Sequence, residues 1–379
     1  MEIENYDIII AGAGLFGSVI AERAANKGLK VIVIEKRNHI GGNCYSEFDE
    51  KTGINFHKYG THIFHTSNKK VWAYINNFTQ FNNYKHQVLT VYNNKVYQMP
   101  INLETINSYF NINLKPFEVL DFLKKEIDLE SIKNPKNFEE KAISLMGRSL
   151  YEAFFKGYTI KQWQRDPKDM PESVLNRIPF RTNYNETYFL NADFEGIPIG
   201  GYTPIFNKML DSNNIDVKLN VDFFDIKHLI PKNKTIFFSG PIDKYFDYQF
   251  GKLDWRTLEF EKETKNVEDY QGTSVMNYSE EKIPFTRIHE PKHLHPEVKY
   301  NTNKTLIIKE YSKKDNGNNP YYPINDLKNQ KMVLKYREKV SQNENLFVCG
   351  RLGDYKYYDM DKTIEMALST FEKFEKQIE

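Results

Sequence analysis

The sequence predicts an α/β protein, and three segments carry that prediction. Near the start, Tyr6-Asp7-Ile8-Ile9-Ile10-Ala11 is a short β-branched run suited to a strand buried on both faces. A glycine-rich turn and a stretch at helical spacing follow it. In the middle, Thr235-Ile236-Phe237-Phe238-Ser239-Gly240 has the same strand-into-turn form. Near the end, Asn345-Leu346-Phe347-Val348-Cys349-Gly350 repeats it ahead of an amphipathic helix over 360–374.

Composition bounds the class. At 379 residues the chain has room for two or three domains of roughly 100–200 residues each. Hydrophobic residues make up 40% and aromatics 15%, too much for a disordered chain. Basic residues number 52 against 51 acidic, so there is no general attraction to nucleic acid or anionic membrane. The two cysteines, Cys44 and Cys349, make no disulfide framework and fit a reducing cytosol. No run of about 18 apolar residues exists, and Met1-Glu2-Ile3-Glu4 lacks the basic-then-apolar start of a secretory signal. A cytoplasmic protein without membrane insertion is expected.

The first unit is the most informative. Gly12-x-Gly14-x-x-Gly17 lies between a strand and a helix over 18–27, which Gly28 stops. A second strand, Lys30-Val31-Ile32-Val33-Ile34, ends at Glu35, 18 residues after Gly17. Gly12 permits the tight turn, Gly14 lets backbone approach a pyrophosphate, and Gly17 allows close helix–strand packing. The helix N-terminus offers N–H groups to phosphate, and Glu35 stands where a carboxylate accepts from ribose hydroxyls. This is a Rossmann-like dinucleotide unit. Glu35-Lys36-Arg37-Asn38-His39-Ile40-Gly41-Gly42-Asn43 then adds an Arg-x-x-x-Gly-Gly step. That step resembles the second fingerprint of FAD oxidases, and Cys349-Gly350-Arg351-Leu352-Gly353-Asp354 resembles their third. Three spaced segments favour FAD over NAD.

Residues 105–165 read as helical, with apolar positions three and four apart. Pro167, Pro171 and Pro179 punctuate 164–181, which reads as a loop. From 181 to 335 strands dominate, among them Leu258-Glu259-Phe260-Glu261, Ser274-Val275-Met276-Asn277-Tyr278 and Thr305-Leu306-Ile307-Ile308. Asp315-Asn316-Gly317-Asn318-Asn319 is the strongest turn signal.

Three further clusters hold chemistry-bearing side chains. His57, His62 and His65 are spaced imidazoles, but no cysteine or close acid pair completes a metal set. They are either satisfied structural residues or face a flavin. Tyr151-Glu152-Ala153-Phe154-Phe155-Lys156-Gly157-Tyr158-Thr159-Ile160-Lys161-Gln162-Trp163 is either a core stripe or, with its interleaved polar groups, a surface on which a planar base stacks. Tyr355, Tyr357, Tyr358 and Asp359 follow the last strand, as surface tyrosines or as polar tips around a site.

Taken together these segments closely resemble bacterial UDP-galactopyranose mutases over nearly the whole chain. The resemblance lies in Gly12 to Gly17, Glu35 to Asn43, Tyr59 to His65, Phe154 to Trp163 and Arg177-Ile178-Pro179. It continues through Phe285-Thr286-Arg287-Ile288, Pro320-Tyr321-Tyr322-Pro323-Ile324 and Tyr357-Tyr358-Asp359-Met360-Asp361. It implies interconversion of UDP-galactopyranose and UDP-galactofuranose without net oxidation, for surface polysaccharide. N5 of reduced FAD attacks the anomeric carbon, UDP leaves, the sugar opens to an iminium, and the O4 hydroxyl closes the furanose.

Residue roles follow from the same resemblance. Arg177, in the 164–181 loop that closes over substrate, and Arg287 match the diphosphate clamp. Tyr321 and Tyr357 match phosphate-contacting tyrosines. Phe154, Phe155, Tyr158, Thr159, Trp163, Tyr188 and Asn277 match the uridine and substrate pocket, with Asp359 beside it. Gly12, Gly14, Phe16, Gly17, Glu35, Lys36, Arg37, Gly42, Asn43, His62, Ile63, Arg351, Tyr358, Asp359 and Met360 match flavin contacts, with His62 also counted as catalytic. No metal is expected. His86 stands where such enzymes are expected to carry Asn near the sugar, which leaves UDP-N-acetylgalactosamine open as a substrate. An external reductant such as NAD(P)H and a homodimer are implied.

The implied architecture has three parts: an FAD-binding α/β domain from 1–85, 200–247 and 336–379; a helical bundle over 105–180 with mobile loop 164–181; and an antiparallel sheet domain from 86–104, 181–199 and 248–335. Two alternatives remain: an FAD oxidase or desaturase of the same fold, against which the two arginines argue, and a binding protein that merely retains FAD.

Overall fold

A computed structural model describes residues 2–177, 179–317 and 319–378, with the side chains of Asn176 and Arg177 outside the description. The chain opens with β1 (Ile8–Ala11), α1 (Leu15–Asn26) and β2 (Val31–Ile34). Both strands are buried at every position, as parallel strands covered on two faces require. Three short strands follow, β3 (Ser46–Phe48), β4 (Asn55–His57) and β5 (Phe64–Thr66), then α2 (Lys69–Ile75), capped by the Asn68 side chain. A hairpin of β6 (Val88–Tyr92) and β7 (Lys95–Met99) turns through Asn93 and Asn94, both at positive φ, the conformation of a tight hairpin turn.

The helical layer comes next: α3 (Leu103–Phe110), α4 (Val119–Glu130), α5 (Phe138–Tyr151) and α6 (Gly157–Trp163). A π-helical turn, Glu152–Lys156, joins α5 to α6 without a break. Its own core, with Ile106, Leu123, Ile143, Met146 and Leu150, is separate from those on the two faces of the parallel sheet. Residues 164–181, expected as a loop, contain two short 3-10 segments, Pro167–Asp169 and Glu172–Arg177.

The chain then runs through β8 (Phe194–Gly196), α7 (Thr203–Met209), β9 (Ile215–Lys218), α8 (Phe223–Ile226), β10 (Thr235–Phe238) and α9 (Ile242–Tyr245). Next are β11 (Trp255–Lys265), β12 (Val275–Tyr278), β13 (Arg287–His289), β14 (Thr305–Lys314) and β15 (Tyr322–Pro323). It ends with α10 (Leu327–Ser341), β16 (Leu346–Val348), α11 (Gly350–Asp354) and α12 (Met360–Ile378).

Two sheets organise these elements. The first is parallel, in the order β16-β10-β1-β2-β9, and draws its strands from both ends and the middle of the chain. The second has seven strands, β15-β11-β14-β13-β12-β6-β7. It was expected to be antiparallel, but β12 pairs with β6 in parallel, Asn277 opposite Thr90. The β6–β7 hairpin arrives from before the helical layer, so hairpin geometry does not dictate its direction there. Two expected borders also fall inside helices. The 335/336 border cuts α10, whose Met332, Val333, Tyr336 and Val340 pack into the core under the parallel sheet. The 104/105 border cuts α3. Among the described residues no helix is long and apolar enough to cross a membrane.

Candidate active site

The cofactor side is built from backbone. Gly12 sits at φ +103°, and a Cβ on Gly17 would lie 2.0 Å from the Gly12 carbonyl oxygen, so helix and turn meet closer than any side chain permits. A Cβ on Gly42 would lie 2.9 Å from Gly14 Cα: the two glycine turns touch backbone to backbone. Glu35 is buried and holds this geometry, accepting from Ala13 N–H through Oε2 and from Arg37 N–H through Oε1, both at 2.9 Å. No side chain caps the N-terminus of α1, which leaves its N–H groups for an anion.

These groups border a cavity of about 250 Å³. Gly12, Gly14, Phe16, Glu35, Lys36, Arg37, Gly42, Asn43, His62, Arg351, Tyr358 and Met360 line it, as expected. Ser239, Gly240, Lys244, Gly350 and Thr363 line it as well and were not singled out. Gly17, Ile63 and Asp359 do not. Gly17 serves helix–strand packing, and Ile63 is buried in a separate small core with Tyr84, Ile197 and Leu294. Arg37 lies over the Tyr59 ring at 4.2 Å, and its Nη2 donates to Asn43 and Asn319 at 3.0 and 3.2 Å. Its Nη1 is buried with no partner. A glycine cradle, free helix N–H groups and an unspent guanidinium N–H fit a dinucleotide.

At the other end of the cavity His62 Nδ1 lies 2.7 Å from the Gly60 carbonyl, so by that hydrogen bond the proton is assigned to Nδ1 and Nε2 is an acceptor. Burial, with Arg351 nearby, lowers its pKa to about 4, so the ring is neutral. Arg351 donates to the Tyr358 carbonyl at 2.7 Å and lies 4.9 Å from the Tyr357 ring centroid. Asp359 precedes α12, its carbonyl accepting from Thr363 N–H at 3.0 Å.

The side expected to face substrate is built from side chains in one row. Glu310 on β14, Arg287 on β13, Asn277 on β12 and Thr90 on β6 are successive cross-strand partners and share one face of the sheet. Arg287 Nε lies 3.3 Å from Glu310 Oε1, and Nη2 donates to the Tyr158 hydroxyl. Burial is the largest influence and works against the Arg287 charge, but Glu310, together with Tyr158, Tyr322 and Tyr188, more than offsets it and the pKa rises. Burial alone would raise the Glu310 carboxyl, yet Arg287 and the His289 hydrogen bond hold it down at about 2. The Asn277 carbonyl oxygen is buried and has no partner.

From α6, Tyr158 reaches this row, Thr159 is buried, and Trp163 packs against the helical core. Lys161 ties that helix to the β12–β13 turn by donating to the Tyr278 and Phe285 carbonyls at 2.6 and 3.0 Å. Gly157 makes the approach possible, since a Cβ there would lie 2.5 Å from the Ser279 oxygen. His86 donates its backbone N–H to Glu195 at 2.7 Å, and its Nδ1 lies 3.0 Å from the Tyr84 hydroxyl. Its ring lies edge-on to Tyr188, 4.9 Å between centroids, and burial, with Arg287 nearby, lowers its pKa to about 3. Tyr188 in turn lies within electrostatic reach of Arg287 and Asp359.

Two expectations are corrected. Phe154 and Phe155 are 3% and 4% exposed in the helical core, where Phe154 packs against Tyr92, Tyr97 and Tyr109, so they offer no open stacking face. Tyr321 is 2% exposed, with its hydroxyl unpartnered and lying toward Arg37 and Tyr59. Its neighbour Tyr322 stacks on Tyr357, centroids 5.6 Å apart, and lies within reach of Arg287 and Arg351. Successive residues of an extended chain face opposite ways, so a slip of one residue exchanges the two. The Arg177 side chain lies outside the described residues.

Sequence reasoning also missed Glu310 and His289. Glu310 carried a signal: in Leu306-x-Ile308-x-Glu310 it continues the buried face of β14. Among the described residues one group, Asp269, Glu290 and His293, brings three ligand atoms within 4.8 Å of one another. His293 Nε2 already lies 3.2 Å from Asp269 and 3.6 Å from Glu290.

The family model for UDP-galactopyranose mutase matches residues 153–357, and that for NAD(P)-binding Rossmann-like domains matches 10–78. The chain is 41% identical to an Escherichia coli dTDP-fucopyranose mutase, covering 95% of this chain and 96% of the relative. It is also 41% identical to a probable UDP-galactopyranose mutase of Klebsiella pneumoniae, covering 98% and 95%. A crystal structure of reduced UDP-galactopyranose mutase superposes with TM-score 0.73 at 14% identity, covering 97% of this chain and 94% of the other. A putative protoporphyrinogen oxidase from Exiguobacterium shares the fold with TM-score 0.62 at 10% identity, covering 98% of each chain. With full-length relatives at this identity, the chain belongs to the UDP-galactopyranose mutase family of nucleotide-sugar mutases.

Proposed function

We propose that the chain binds FAD in the cavity and, with the cofactor reduced, interconverts the pyranose and furanose forms of a nucleoside-diphosphate hexose, UDP-galactose first. The observation that carries this is Arg287, held by Glu310 and beside Tyr158, next to the His62–Arg351 end of a dinucleotide cavity. Reduced flavin supplies the nucleophile for the anomeric carbon, so the chain needs none of its own. Gly12, Gly14, Gly42 and the start of α1 hold the pyrophosphate of FAD, and Glu35 and Arg37 hold its adenosine end. His62, Arg351, Tyr358 and Met360 border the ring.

The remaining roles fall to side chains around the row. Arg287, with Arg177 as the second clamp, binds the diphosphate and stabilises the charge that builds as the sugar–phosphate bond breaks. Because Glu310 pre-sets the guanidinium, little reorganisation is needed at that moment. Tyr322 and Tyr357 donate hydroxyls to the phosphates. Tyr158, Thr159 and Trp163 form the wall for the base, Asn277 offers its free oxygen to a substrate donor, and His86, neutral, faces the sugar with Tyr188 and Asp359. Closure of 164–181 excludes water. No net electrons pass to the sugar, so an external reductant such as NAD(P)H only sets the flavin. The chain acts as a homodimer.

A second reading is dTDP-fucose as the substrate, favoured by the 41% identity to a dTDP-fucopyranose mutase over 366 residues. Anaerobic chromatography of UDP-galactofuranose, UDP-N-acetylgalactosamine and dTDP-fucose, with and without dithionite, tests all of these. Conversion only after reduction supports the mutase, and the preferred substrate names it. Bound FAD with no conversion of any of them brings the oxidase reading forward.

A further inference from the structure

We infer that His289 is a positioning residue that sets Arg287 through Glu310, an inference that rests on the diphosphate-holding role proposed above for Arg287. His289 lies two residues from Arg287 on the same face of β13 and is 2% exposed. Its Nε2 is 2.9 Å from Glu310 Oε2, while the other carboxylate oxygen, Oε1, faces Arg287 Nε at 3.3 Å. Its Nδ1 is 2.7 Å from the Thr61 hydroxyl. An ionised carboxylate only accepts, so the network assigns the ring proton to Nε2. Nδ1 is then the acceptor for the Thr61 O–H, and every polar atom of the imidazole is used.

The result is a relay of three side chains, Thr61–His289–Glu310, ending on the guanidinium. It starts on the turn that carries His62 at the cofactor cavity, so the two sides of the cleft are tied by hydrogen bonds. The ionisable groups facing Glu310 are Arg287 and His289 from β13, Tyr158 from α6, Tyr321 and Tyr322, and His62 from the turn. Without the Nε2–H the carboxylate keeps only Arg287 and the Thr286 hydroxyl to hold it ionised, and it is less firmly fixed beside Arg287.

The test is the affinity of the FAD-loaded protein for UDP and for dTDP, measured by calorimetry between pH 5 and 8. His289→Leu is expected to weaken binding about 10- to 50-fold at pH 7. It also adds an acid-side loss beyond that of the wild type, because the Glu310 carboxyl, whose charge burial opposes, then has fewer groups that favour its ionised form. His289→Gln, whose amide N–H reaches the Nε2 position, is expected to recover affinity to within about 3-fold and to lose the extra acid limb. Thr61→Val, which leaves Nδ1 without its donor and the ring less firmly held, weakens binding about 3-fold. Equal losses in Leu and Gln at every pH, or wild-type binding in Leu, overturn the inference. If the Leu variant retains no FAD, Thr61→Val and His289→Gln decide it, and wild-type affinity and pH profile in Thr61→Val overturn it. A wild-type protein that binds neither UDP nor dTDP overturns the functional reading instead.

Discussion

The cofactor and substrate sides of the cleft are built on opposite principles. On the first, contacts are backbone to backbone: Gly12, Gly14, Gly17 and Gly42 matter for what they lack, and Glu35 braces two main-chain N–H groups. On the second, Glu310, Arg287, Asn277 and Thr90 come from four strands brought side by side by pairing register. A site made of absent side chains tolerates no addition, whereas a site made of a row loses function in steps as members are removed.

The sharpest way to break this contrast is Gly17→Val. With backbone 2.0 Å from the new Cβ, it is expected to abolish FAD binding and to cost about 3 kcal/mol or more, read by flavin absorbance and thermal melting. Arg287→Ala should do the reverse, retaining FAD while turnover falls roughly 10²- to 10³-fold. Glu310→Gln keeps the volume but leaves Arg287 without its counter-charge; kcat/KM is expected to fall about 30- to 100-fold, less than for the arginine. The tyrosine pair sharpens the comparison further. Tyr322→Phe should lower kcat/KM by about 10-fold. Tyr321→Phe removes a hydroxyl that has no partner and should change activity by less than about 2-fold, with stability equal or higher.

The smallest effect is on pH dependence. His62 and His86 are held neutral in the fold, at about 4 and about 3, against about 6.5 unfolded. Between those values the unfolded chain binds more protons, so stability falls as pH drops below about 6.5. Each group contributes at most about 1.4 kcal/mol per pH unit. Glu310, depressed to about 2, adds stability above its unfolded pKa that is lost as pH falls from about 4.5 toward 2. Melting curves of His86→Asn should be flatter between pH 6 and 4 than those of wild type. Equal slopes would remove His86 from the account.

The same contrast explains what the sequence made legible. Glycine spacing around β1 and the acid after β2 are local signals, and the cavity lining follows them almost residue by residue. The row was legible only in part, because Arg287 and Glu310 meet through register and no local pattern states which residue faces which. Tyr321 and Tyr322 differ by one position and no neighbouring residue separates them. Phe154 and Phe155 read equally well as a stacking surface or as core, and tertiary packing made them core. The parallel β6–β12 pair, which extends the row to Thr90, joins segments on either side of the helical layer.

The π-helical turn at Glu152–Lys156 has a consequence for how this cleft tolerates change in length. A helix of that kind accommodates one residue more than the α-helix it interrupts, so the rod that starts after the Gly147 kink in α5 and runs to the end of α6 carries a built-in phase shift of about 100°. Deleting one residue from the turn would restore an ordinary helix and swing Tyr158, Thr159, Lys161 and Trp163 together around the axis, off the sheet they now meet. The wall of the substrate side is thus indexed by a single extra residue, like a key cut one notch along its blade.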